Sequence, residues 1–147
     1  MDLLLEIDNI DYKATAKNVK DFLDNKLPRI LRLANENPAS LKSPTISDMP
    51  VSHDGGNHNE DKIIKYIAAK EMIQGVAQAF QNCSQTSLVI LKGKYIQGLQ
   101  DWQIEQNLYC SHSTYFKSRD KAYNEFADCL ELQKGCPDLH VYKKELV

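Results

Sequence analysis

The hydrophobic pattern is a series of helical repeats separated by clear interruptions. From Asp11 to Asn35, the apolar residues Tyr12, Val19, Phe22, Leu23, Leu27, Ile30, Leu31 and Leu33 recur close to a helical period. Pro28 lacks an amide hydrogen and disfavours helix at Lys26 and Leu27, so the pattern predicts helices at about 13–25 and 28–35. Lys13, Lys17 and Lys20 recur on the polar side, which reads as a solvated face, with a secondary phosphate contact as the sharper alternative. Glu36 to Asn59 has a different texture: Pro38, Pro44 and Pro50 are followed by His53-Asp54-Gly55-Gly56-Asn57-His58. Turn-formers at this density cannot continue a helix and predict a linker. A long helix is predicted next, over about 60–81, with Ile63, Ile64, Ile67, Met72, Ile73, Val76, Ala77 and Phe80 as its stripe. Asn59, Glu60 and Asp61 suit its positive end. The stripe can pack on the following domain or serve as a dimer seam.

Three further helical signals occupy Ser84 to Glu131. Ser84 or Thr86 can cap a helix through Tyr95, which Gly98 ends as a residue able to adopt a left-handed cap. Asp101 can cap a short helix carrying Trp102, Ile104 and Leu108. Ser111 can cap a longer one on which Tyr115, Arg119, Ala122 and Phe126 share a face, with the Arg119 stem buried and its head wet. A short helix, a tight turn and a Ser-capped second helix make the layout of a helix-turn-helix. In the tail, Gly135 and Pro137 are stoppers, and Leu139, Val141 and Tyr142 suit a short strand or a packed arm.

Charge narrows the function classes. The 147 residues hold 18 basic and 20 acidic side chains, a formal net charge of -2. Counted by segment, 1–50 hold 7 basic and 8 acidic residues, 51–83 hold 3 and 4, and 84–147 hold 8 and 8. Such a chain is no general polyanion binder, because non-specific duplex affinity comes from Lys and Arg neutralising phosphates. Positive charge is concentrated only at Lys117, Arg119 and Lys121, interrupted by Asp120. No apolar stretch approaches the roughly 20 residues that cross a bilayer, and the acidic start is unlike a secretory signal, so a cytoplasmic protein is expected.

Catalytic and metal signals are weak. Cys83, Cys110, Cys129 and Cys136 form no CxxC pair and read as free thiols; no spacing supports zinc binding with His112 or His140. Gly55-Gly56 is no phosphate loop, because no GK[ST] follows, and His53 and His58 read as solvated. His112 and Ser113 are adjacent and so point in different directions on a helix. A non-enzyme without cofactor or metal is expected.

Lys94-Tyr95-Ile96-Gln97-Gly98-Leu99, Gln103-Ile104-Glu105, Ser111-His112-Ser113-Thr114-Tyr115, Ala122 and Phe126 resemble the C-terminal promoter-recognition domain of bacterial sigma factors. The chain departs from that pattern at Glu105, where the family favours Ala, and at Tyr109, where it favours Gly. The wider chain, over roughly 10–130, is similar to the ArpU family of phage and prophage regulators, thought to activate late genes. That match rests on Leu41-Lys42-Ser43-Pro44-Thr45-Ile46-Ser47-Asp48-Met49-Pro50, Gly56-Asn57 with Glu60-Asp61-Lys62, Ser113-Thr114-Tyr115-Phe116, Lys121-Ala122 and Phe126-Ala127.

The resemblance implies an all-α protein. Its segments are an N-terminal helical part (1–35), a linker (36–59), a helical DNA-binding domain (60–131, with the helix-turn-helix at about 100–127) and a tail (132–147). It implies double-stranded DNA as partner, with the second helix in the major groove. On that helix His112, Ser113, Phe116, Lys117, Asp120 and Lys121 face outward: His112 and Ser113 as donors, Phe116 against a thymine methyl, Lys117 and Lys121 on phosphate or guanine. Ser111 caps it, while Gln103 and Gln106 are candidate backbone contacts from the preceding helix. A homodimer through the 60–81 helix or the tail is the first expectation for a second binding unit, and RNA polymerase the second. The alternatives are a phage small terminase subunit and a sigma-like protein-interaction domain that does not bind DNA.

Overall fold

The computed structural model describes residues 2–44 and 57–144, without the side chains of 57–59. Thr45–Pro50 and the His53–Gly56 run therefore lie outside the described residues. The regular structure described is helical, the all-α class that the repeat predicts: α1 (Leu3–Asp8), α2 (Tyr12–Asp21), α3 (Leu27–Leu33), α4 (Asn57–Asn82), α5 (Gln85–Tyr95), α6 (Asp101–Leu108) and α7 (His112–Glu131).

Pro28 does not break the N-terminal helix as its chemistry suggests. Phe22–Lys26 forms a π turn in which the Leu27 N–H donates to the Phe22 carbonyl, and α3 follows directly. The extra residue in that turn lets Pro28 fall in the first turn of α3, where a missing N–H costs little. Leu23, Leu27 and Leu31 stay on one buried face as a result.

The expected linker begins as ordered chain. Asn37 Oδ1 accepts from the Ala39 N–H at 2.9 Å and caps a 3-10 turn, Pro38–Leu41, whose Leu41 is fully buried beside α4. Gln81 Nε2 on α4 donates to the Lys42 carbonyl at 2.7 Å. On α4, Ile73, Val76, Ala77 and Phe80 are buried, so this half of the stripe packs within the chain, whereas Ile64 is 64% exposed.

The core is built around α7. Tyr115, Ala122, Tyr123, Phe126, Ala127 and Leu130 form its buried side, against which α2, α4, α5 and α6 pack. The Phe126 ring lies 5.1 Å from that of Phe80 and 6.5 Å from that of Phe22, joining α4 and the N-terminal rod at one point. Truncating a buried Phe costs about 3–5 kcal/mol, a large share of the roughly 5–15 kcal/mol that stabilises a domain. Glu125 fixes the start of α5 on α7, accepting from the Ser84 N–H at 2.9 Å and from Ser87 Oγ at 2.8 Å.

The tail is a packed arm rather than a strand. It crosses α4 where Gly75 leaves no room for a Cβ beneath Cys136, and buries Leu139. It then pairs with the α1–α2 corner: Asp11 N–H to the Val141 carbonyl and Lys143 N–H to the Asn9 carbonyl, both 2.8 Å. His140, its side chain 3% exposed, is clamped between Asp138 on Nδ1 (2.5 Å) and Asp128 on Nε2 (2.7 Å), with Glu131 at 3.8 Å. Carboxylates only accept, so both ring nitrogens donate and the ring is an imidazolium. The Asp128 bond outweighs burial and, with Asp138, raises the His140 pKa to about 9.

A raised pKa stabilises the fold fully below the unfolded value, near 6.5, and that contribution is lost as pH rises through about 9. Thermal unfolding of wild type and His140→Gln should therefore differ most below about pH 6.5, by on the order of 2 kcal/mol, and converge above about pH 9. A difference unchanged across that window would show that the ring is not held as a cation. Glu131, Tyr142 and Glu6 line the same cluster and are common to both proteins.

Candidate nucleic-acid interface

The sequence from Gly98 to Ser111 sets the entry of α7. Gly98 takes a φ of +69° and turns the chain out of α5, and the Leu99 N–H returns to the Gly93 carbonyl at 2.9 Å. Gly93 lies under Ile104, so α6 sits close on α5. Asp101 was the expected cap, but Gln100 holds that position, its N–H donating to Gln103 Oε1 at 2.8 Å. Asp101 is instead a hub: it accepts from the Tyr115 hydroxyl at 2.6 Å, Lys94 at 3.2 Å and Arg119 at 3.5 Å. Burial opposes its charge, yet the Tyr115 and Lys94 bonds win and hold the carboxyl below its ordinary pKa. Burial and the same carboxylate push Tyr115 up.

Ile104 and Tyr115 are both buried. Arg119 departs from expectation. Its side chain is only 14% exposed, so the head is covered too, lying 4.4 Å over the Phe116 ring and reaching Asp101. At the turn, Tyr109 adopts φ 53° and ψ 41°, the left-handed conformation that glycine takes without strain, and is 96% exposed. The second departure, Glu105, bonds His112 Nδ1 at 2.6 Å.

The candidate residues divide into groups. Ser111, His112, Ser113 and Lys117 are exposed on the leading turns of α7, with Gln106 exposed on α6. Ser111 Oγ caps α7, accepting from the Thr114 N–H at 3.3 Å. Phe116 is half-buried, its ring between the Arg119 guanidinium and the edge of His112 at 4.5 Å. Gln103 is half-buried and engaged by Gln100. Lys121 is exposed and lines a depression with Lys13, Asp120, Glu125 and Asp128. Sequence periodicity missed the Glu105–His112 pair. Its members are seven positions apart across a turn, and the only signal was Glu105 standing in place of a small residue.

Among the described residues the thiols remain unpaired, with burial raising the pKa of Cys83 and Cys129, and no helix is long and apolar enough to cross a membrane. The His140 partners are carboxylates rather than thiols.

The fold thus defines an all-helical protein with a short helix, a three-residue turn and a long helix whose first turns are polar and exposed. Residues 40–127, more than half of the 147, match the family described as a protein of unknown function (DUF1492), and the chain belongs to that family. It is also 29% identical over 130 residues to the "Putative autolysin regulatory protein ArpU" of Enterococcus hirae, covering 87% of this chain and 92% of that one. The ArpU resemblance is borne out by this match. No solved structure matches.

Tyr109→Gly should raise the unfolding free energy by up to about 1 kcal/mol, because it relieves a left-handed residue that is almost wholly exposed. Denaturant unfolding tests this; a loss of stability would mean that the phenol ring packs in solution.

Proposed function

We propose that the chain is a sequence-specific DNA-binding transcriptional regulator, with α6 and α7 as its helix-turn-helix. In this reading the leading turns of α7 enter the major groove and α6 lies across the backbone. The observation that carries it is the exposure of Ser111, His112, Ser113 and Lys117 on one end of a helix whose opposite side is core. A rigid rod with a free polar end can meet base edges with little ordering cost. The capped N-terminus adds free N–H groups for a phosphate. Lys117 supplies phosphate or guanine contact; His112 and Ser113 reach base edges. Phe116 and Gln103 contribute less because each is partly engaged within the chain, and Lys121 contributes less because Asp120, Glu125 and Asp128 line the same depression.

The regulatory name of the Enterococcus hirae relative supports the same class. The ArpU resemblance supplies the setting, activation of phage late genes in a bacterial cytoplasm, and argues against catalysis. One such unit gives too few contacts for operator-level specificity. A homodimer through the first turns of α4, where Ile64 is exposed, supplies the second, with RNA polymerase the further partner.

Selection of bound duplexes from a random pool at two salt concentrations should recover a motif, and an inverted repeat within it would report the dimer. On a recovered duplex, Lys117→Ala should weaken binding across sequences and flatten the salt slope by about one unit. Enrichment of no duplex would end the DNA reading, and an unchanged slope would remove Lys117 from the phosphate contacts.

A further inference from the structure

The Glu105–His112 pair restricts what the exposed imidazole can say to a base. Glu105 is 16% exposed at its side chain and sits on α6, whereas His112 is 73% exposed at the start of α7. The pair closes at 2.6 Å between Oε1 and Nδ1. A carboxylate has no proton to give, so the hydrogen in this bond belongs to Nδ1. The neutral ring then carries no proton on Nε2, and its second nitrogen is an acceptor. The edge of the ring also rests on Phe116, with centroids 4.5 Å apart and planes at 78°, which limits rotation away from Glu105. One side chain therefore fixes the tautomer and another steadies the ring plane.

Resting on the helix-turn-helix reading above, we infer that His112, oriented by Glu105, selects a base that offers an amino group in the major groove, which is adenine or cytosine. Adenine N6 and cytosine N4 are the donors in that groove, whereas guanine O6 and N7 and thymine O4 are acceptors. A bare Nε2 pairs with the first set and meets the second lone pair to lone pair. Glu105 is thus a positioning residue: it need not touch DNA to set the preference. Its place in the sequence, where the sigma-like pattern carries a small residue, makes this preference particular to chains with an acid there.

The inference is tested by ratios of binding between duplexes that differ at one base pair, so any loss of folded protein cancels. A duplex recovered by the wild-type chain from a random pool is varied through all four pairs at each position. One position should favour adenine or cytosine over guanine and thymine by about tenfold, the size of one well-placed hydrogen bond. His112→Ala should level the four bases at that position only. Glu105→Gln, whose amide can donate to Nδ1 and so move the proton to Nε2, should remove or reverse the preference there and leave the rest of the motif intact. Adenine favoured alone or cytosine favoured alone identifies which amine is read. The inference is overturned if Glu105→Gln keeps the wild-type ratios or if the His112 position favours guanine or thymine, and in both cases a recovered motif leaves the DNA reading standing. Failure of the wild-type chain to enrich any duplex removes both.

Discussion

Tyr115, Ala122, Tyr123, Phe126, Ala127 and Leu130 lie along one side of α7, and helices from both ends of the chain close over them. Because this stripe is buried, the rotation of α7 about its axis is not adjustable: turning it would expose Phe126 and Tyr123 and strand Tyr115 away from Asp101. The residues left outside, Ser113 and Lys117 among them, are therefore held in place by packing more than by contacts of their own. Most of the stability of a helix within a protein comes from packing its apolar face, so the order of α7 derives from that packing.

Polar contacts give the packing a unique register. Tyr95 on α5 bonds Asp24 in the N-terminal rod and Tyr123 on α7, both at 2.8 Å, and burial pushes its phenol pKa well up. Asp101 on α6 does the same at the other end, gathering Lys94 from α5 and Tyr115 and Arg119 from α7. Both hubs draw their partners inside the fold, and the single Asp101 carboxylate is shared by two cations, Lys94 and Arg119. The tip of α7 is polar as a result: Lys94 and Arg119 are engaged internally, and Lys117 is left exposed at its leading end. The same economy places Arg119 inside, although its charge suggested a wet head.

Local periodicity was a good guide wherever a helix buries a single stripe. The buried face of α7, that of the second half of α4, the Gly98 stop and the Ser111 cap were legible, because each depends on neighbours within about one or two turns. Pro28 was misleading for a definite reason. A proline rule treats the helix as uniform, and the π turn before it shifts the register so that the ring falls where it is tolerated. Asp101 was misread in the same way, since capping chemistry is local but Tyr115 and Arg119 arrive from another helix.

Chain order alone thus settled the helical class, the punctuation of the second half and the family resemblance, because composition and spacing of adjacent residues carry that information. Three-dimensional packing decided which charges are already spent, that Leu41 and the tail join the core, and that Glu105 orients His112. Those outcomes depend on distances between residues from separate elements, and no local repeat encodes them.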